Sequence, residues 1–141
     1  MQAVVIYESL TGNTAKAARA IAAGLTAEGV PTQAYNVTGI DYQALADADL
    51  VIVGSWVDGL VFVAHRPGRV SRITGMPALA GKKAIVYLTY AINAGSALQK
   101  MSDAVAGRGA EVLGGQTIRR DRLEQGVADL VERVLGVAAQ V

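Results

Sequence analysis

The chain has 141 residues, no cysteine and a single histidine, His65. The first absence excludes disulfides, thiolate nucleophiles, iron–sulfur clusters and cysteine-based zinc sites. The second excludes any metal site built on several histidines. Only 18% of the residues are charged while 52% are hydrophobic, which argues for an ordered globule rather than a disordered segment. No long apolar run compensates for the scarce charge. The longest charge-free stretch near the middle, 84–99, is broken by Asn93, Gly95 and Ser96 and falls short of the about 20 apolar residues a membrane helix needs. No basic region with a following cleavage site opens the chain, so no signal peptide and a cytoplasmic location are expected.

What is present is a regular alternation of short apolar runs with segments of helical period. Ala3 to Tyr7, Leu50 to Gly54 and Ala84 to Leu88 are continuous apolar runs, the pattern of strands buried on both faces. Thr32 to Val37 reads as a weaker strand and Glu111 to Ile118 as a fifth. From Thr14 to Glu28, Ala17, Ala18, Ile21, Ala22 and Leu25 recur at helical spacing, with Gly29 as the cap and Pro31 as the stop. A short helix capped by Asp41 follows, and Ser96 opens another with Leu98, Met101 and Val105 on one stripe. Asp121 and Glu124 read as a capping pair for a last helix whose inward stripe includes Leu123, Val127, Leu130 and Val134. Between them, 55–79 is irregular, with one short helix expected to enter at Pro67 and to turn Val70 and Ile73 inward. Five strands alternating with helices, and no linker or repeat, predict one α/β domain over 1–141: a doubly wound parallel sheet in three layers.

The loop after the first strand is the strongest chemical signal. Glu8-Ser9-Leu10-Thr11-Gly12-Asn13-Thr14 places three hydroxyls and one amide within six residues just before a helix. N–H groups at a helix start lack internal partners and lie at the positive end of the dipole, so they suit an anion. From the residues alone, a phosphate site and a plain hydroxyl-capped turn stand side by side. A dinucleotide loop needs three spaced glycines and a nucleotide P-loop a lysine after its last glycine; neither is here. A phospho-acceptor receiver domain needs an acidic pair after strand one and an aspartate ending strand three, against a lone Glu8 and Gly54-Ser55.

Ser9-Leu10-Thr11-Gly12-Asn13-Thr14 resembles the Thr/Ser-x-Thr-Gly-x-Thr phosphate loop of the flavodoxin family at every defined position, and the similarity extends over essentially the whole chain. It implies sheet order 2-1-3-4-5, the short-chain form, and FMN as cofactor. Tyr87 to Asn93 is more loosely similar to flavodoxin-like protoporphyrinogen oxidases. Ligands of such folds lie outside the carboxyl ends of the strands, where strand order reverses. The resemblance assigns the phosphate to Ser9, Leu10, Thr11, Gly12, Asn13 and Thr14. It assigns the ring to two loops, Ser55-Trp56-Val57-Asp58-Gly59 and Thr89-Tyr90-Ala91-Ile92-Asn93-Ala94-Gly95, with Trp56 and Tyr90 as stacking aromatics. The site residues expected from the second loop are Thr89, Tyr90, Ala91 and Asn93. Asp58-Gly59 reads as a turn; the resemblance implies a carbonyl there that meets flavin N5–H in one redox state, with a plain turn as the alternative. Glu8 stands where the family has a small residue and is expected to face away from the phosphate. The function implied is electron transfer with a redox partner protein. The alternatives are a small FMN-dependent oxidoreductase, acting on a quinone or a porphyrinogen-like substrate, and a module of this fold that has lost its flavin.

Acidic residues are missing from one long segment. Between Gly59 and Ser102 the chain carries Arg66, Arg69, Arg72, Lys82, Lys83 and Lys100 and no Asp or Glu, although the whole has 13 cationic and 12 anionic residues. This segment flanks both ring loops, so a less strongly reducing flavin is expected, with either a partner of acidic character or an anionic small molecule near Arg66, Arg69 and Arg72; a solvated basic face is the alternative. His65 next to Arg66 is a candidate for proton delivery or an ordinary loop histidine. The cations are too dispersed among too few aromatics for nucleic-acid binding.

Overall fold

The structure, a computed structural model, describes residues 1–9, 12–60, 63–67 and 79–139, with the backbone alone at 58–60 and 63–67. Its strands are β1 (Ala3–Tyr7), β2 (Thr32–Asn36), β3 (Leu50–Leu60), β4 (Val63–Pro67), β5 (Lys83–Tyr90) and β6 (Glu111–Arg119). The helices among the described residues are α1 (Asn13–Ala27), α2 (Tyr42–Asp47), α3 (Ala97–Ala106) and α4 (Leu123–Ala138), with a 3₁₀ turn at Arg120–Arg122.

Five strands pair in parallel in the order β2-β1-β3-β5-β6, the expected doubly wound arrangement. Strand residues alternate between two cores, as the pleat requires. Val5, Leu50, Ile52, Ile85, Tyr87 and Ile118 pack with α1 and α4 on one face. On the other, Val4, Ile6, Val51, Val53, Val86 and Leu88 pack with Leu45 of α2 and with Met101 and Val105 of α3. Burial on both faces is why β1, β3 and β5 are apolar without alternation.

Local signals act where they stand in the sequence around α1 and α2. Asp41 Oδ1 accepts from the N–H groups of Gln43 (3.0 Å) and Ala44 (3.1 Å), capping α2. After α1 the chain turns through Gly29, and the Val30 N–H donates to the Leu25 carbonyl at 2.9 Å. The capping pair expected for α4 does not form. Asp121 lies in the 3₁₀ turn and pairs with Arg119 (3.1 Å), and no side chain caps α4.

The largest departure from expectation is at β3. It does not end at Gly54 but continues to Leu60, first beside β5 (Trp56 opposite Thr89) and then antiparallel to β4 (Val57 opposite Pro67). Ser55 to Gly59 and Thr89-Tyr90 are therefore strand, not loop. Asp58-Gly59 is no turn either. Asp58 pairs with Arg66 and Leu60 with Val63, so Ala64 and His65 of β4 stand opposite the single residue Gly59, a bulge. His65 is accordingly a strand residue. Pro67 closes a strand that, among the described residues, pairs with β3 alone, an edge position where a missing N–H is tolerated. The helix expected beyond Pro67, with Val70 and Ile73, lies outside the described residues.

Candidate functional site

All five parallel strands end on the same side, and α1 begins there. The Glu8 N–H donates to the Gly54 carbonyl (3.0 Å), so the loop after β1 starts pinned to β3. Glu8 itself is buried, 1% exposed. Ser9 Oγ accepts from the Gly12 N–H at 3.1 Å. Leu10 and Thr11 lie outside the described residues. Gly12 is the N-cap of α1 at φ 93°, a left-handed conformation that costs any residue with a Cβ, and it offers no side-chain cap. The start of α1 stands at the positive end of the helix dipole, the kind of place that receives anions.

Thr14 joins this loop to the ring strands. Its hydroxyl lies 2.9 Å from the Thr89 hydroxyl at the end of β5, both buried. In register beside Thr89 stands Trp56 of β3, half-buried. Thr14 at the start of α1, the β5 residue Thr89 and the aromatic Trp56 are therefore brought together, though separated in sequence by 33 residues or more. Ser55 is buried in the sheet, while Val57, Tyr90 and Ala91 are half-buried at its edge. Asn93 is exposed, and its Oδ1 accepts from the Gly95 N–H (2.9 Å), closing a turn before α3. Asp58 and Gly59 are placed by backbone alone, in the β3–β4 hairpin. Neutral hydroxyls, an uncapped helix start and two aromatics are a donor set that fits FMN: a phosphate and a flat, largely apolar ring.

Tyr87 belongs to this site and was missed in the sequence. It is fully buried in β5 and donates its hydroxyl to the Thr14 carbonyl at 3.0 Å. Burial, aided by the nearby Tyr7, pushes its phenol well above the ordinary range, so it remains a neutral donor. Its register partner is Gly54. A Cβ added at Gly54 would fall within the Tyr87 ring. A glycine ending one apolar strand while a tyrosine sits late in another is the signal that was available.

The basic segment is only partly at this end. Lys82 and Lys83 lie where β5 begins, at the opposite edge of the sheet, and Lys82 Nζ donates to the Ala46 (3.1 Å) and Ala48 (2.9 Å) carbonyls after α2. Their expected place flanking the ring is thus corrected: parallel strands carry residues adjacent in sequence to opposite ends. Lys100 in α3 and the backbone of Arg66 in β4 are at the site end, where Arg119, Arg120 and Arg122 join them after β6. Arg69 and Arg72 lie outside the described residues. Among the described residues no group of three His, Asp or Glu could hold a metal, and no helix is long and apolar enough to cross a membrane.

No curated protein sequence matches the chain. Solved structures do. The Megasphaera elsdenii flavodoxin is 20% identical with a TM-score of 0.67, over 90% of this chain and 98% of that one. Bacillus cereus flavodoxin 2 is 21% identical with a TM-score of 0.67, over 94% and 99%. A flavodoxin from the domain Archaea is 19% identical with a TM-score of 0.66, over 95% and 99%. These likenesses establish the fold. The flavodoxin domain model matches residues 4–114, which contain the loop after β1 and strands β3 and β5, and the chain belongs to the flavodoxin family.

Proposed function

We propose that this protein binds FMN at the carboxyl edge of its sheet and carries electrons to and from a protein partner. The observation that supports this best is the Thr14–Thr89 hydroxyl pair, which brings an uncapped helix start and the aromatic-bearing strands into one site. Ser9, Leu10, Thr11, Gly12, Asn13 and Thr14 are the residues for the phosphate. Ser55, Trp56, Val57, Asp58, Gly59, Thr89, Tyr90, Ala91 and Asn93 are those for the ring, with Trp56 as a stacking face. FMN, when bound, supplies one- and two-electron transfer; the protein's part is to orient the ring and set its surroundings.

The partner that suits this site is acidic. Arg66, Lys100, Arg119, Arg120 and Arg122 come to the site end from four different elements, Arg119 also pairing with Asp121, and Ile92, which follows β5 at that end, is 69% exposed. An exposed apolar residue at an end that carries cations steers and seats an anionic surface.

The purified chain is expected to show the absorption bands of oxidised flavin, or to take up one FMN per chain with quenching of its sole tryptophan, Trp56. A colourless protein whose tryptophan emission ignores added FMN would overturn the reading. Electron transfer from the reduced protein to an acidic acceptor such as a small ferredoxin is expected to slow as salt rises from about 0.01 to 0.15 M, as screening shortens the Debye length from about 30 to 8 Å. A rate that rises with salt would assign the docking face the opposite charge.

A further inference from the structure

We propose that Tyr87 is a positioning residue that sets where the first turn of α1 stands from inside the sheet, so that its hydroxyl governs recognition of the phosphate and not of the ring. The inference rests on the FMN reading above and deepens it.

Tyr87 and Thr89 are two positions apart on β5 and so face the same way, toward α1. Both hold one residue. The Tyr87 hydroxyl donates to the Thr14 carbonyl at 3.0 Å, and the Thr89 hydroxyl bonds the Thr14 hydroxyl at 2.9 Å. Thr14 is the second residue of α1, counted from its N-cap Gly12, so both bonds fall in the first turn of that helix, at the positive end of its dipole. Helix geometry already gives the Thr14 carbonyl a partner, the N–H of Ala18. The phenol is thus surplus to what the helix requires. It fixes where α1 begins relative to β5.

The arrangement has a structural cost that packing alone does not explain. The ring reaches Thr14 only by lying across Gly54, where β3 carries no Cβ. Any aliphatic residue would fill the interior without demanding a glycine on the neighbouring strand. What the tyrosine adds is a neutral donor at a fixed depth, aimed at the helix start.

Tyr87→Phe in the full-length chain tests this, because it deletes the oxygen and keeps the ring. FMN is expected to dissociate about 3- to 10-fold more readily, the worth of one neutral hydrogen bond, while riboflavin, which lacks the phosphate, binds as before. In the flavin-free protein, amide hydrogen exchange is expected to quicken over Asn13–Ala18 and to stay unchanged over Ala22–Ala27. Equal weakening of FMN and riboflavin, an unaltered FMN affinity, or loss of protection across the whole sheet would each overturn the proposal. Should the unmodified protein bind neither flavin, the FMN reading falls by itself, and the exchange pattern still decides whether Tyr87 positions the first turn of α1.

Discussion

Gly54→Ala is expected to destabilise the fold by about 3 kcal/mol, the upper end of what one inserted methyl costs in a packed core. Gly54 lies in β3 between Tyr7 of β1 and Tyr87 of β5. A methyl there falls within the Tyr87 ring, which is fully buried and tied by its hydroxyl to Thr14. The ring has no free direction: Leu50, Ile52, Ile85 and Ile118 share its core with α1 and α4. Either the ring swings off its bond or β3 moves away from β5. The sign is diagnostic, because glycine inside a regular element is ordinarily worse than alanine by about 0.5–1 kcal/mol. In urea unfolding the midpoint should fall by about 1.5 M at a slope near 2 kcal/mol/M. Gly114→Ala on β6 meets nothing within 4 Å and serves as the control. Pairing Gly54→Ala with Tyr87→Leu should restore part of the loss, since the two residues are in direct contact and their effects are coupled. A Gly54→Ala protein as stable as the parent would mean that the ring does not lie where the structure has it.

The layered fold was legible because its signals are local. Two-sided burial writes itself as unbroken apolar runs in β1, β3 and β5, and Asp41 caps α2 through atoms two and three residues away. The start of α1 right after the hydroxyl-rich loop was legible for the same reason. What escaped depends on register. Asp58-Gly59 has turn chemistry, yet it sits in a hairpin strand with a bulge, because Trp56 is held by β5 and Val57 by β4. Lys82 and Lys83 are near the ring loops in sequence and a full strand away from them in space. Tyr87 looked like one more apolar residue until the alignment of β5 with β3 set it over Gly54, 33 positions earlier. The motif named Thr14 and Thr89 as candidates, but the connection between them left no trace, since a hydroxyl pair spanning 75 residues leaves no mark in either segment.

Thr14→Val is expected to weaken FMN by about 10- to 100-fold, as one hydrogen bond to a charged group is worth about 1.5–3 kcal/mol. The proton count carries the argument. Thr14 and Thr89 have one hydroxyl proton each, and a single bond between them uses one. The other proton remains for an outside acceptor, beside a helix start that the Gly12 cap leaves open. A phosphate oxygen there receives a donor already held in place by its partner, without adding any fixed charge. Valine keeps the shape and removes one proton and one acceptor. It also leaves the Thr89 hydroxyl, only 3% exposed, without this partner, so the flavin-free protein should lose about 1–3 kcal/mol as well. Thr14→Ser separates the two causes, because it restores the hydroxyl and is expected to bind FMN within a few-fold of the parent. Riboflavin affinity should be nearly indifferent to both variants. Equal loss of FMN and riboflavin in Thr14→Val would place the threonine's effect in the ring site; no loss of either would remove Thr14 from the phosphate site. Because Tyr87 holds the backbone of this same residue, Thr14→Val and Tyr87→Phe together should weaken FMN by less than the product of their separate effects: once the donor is gone, little is left to position.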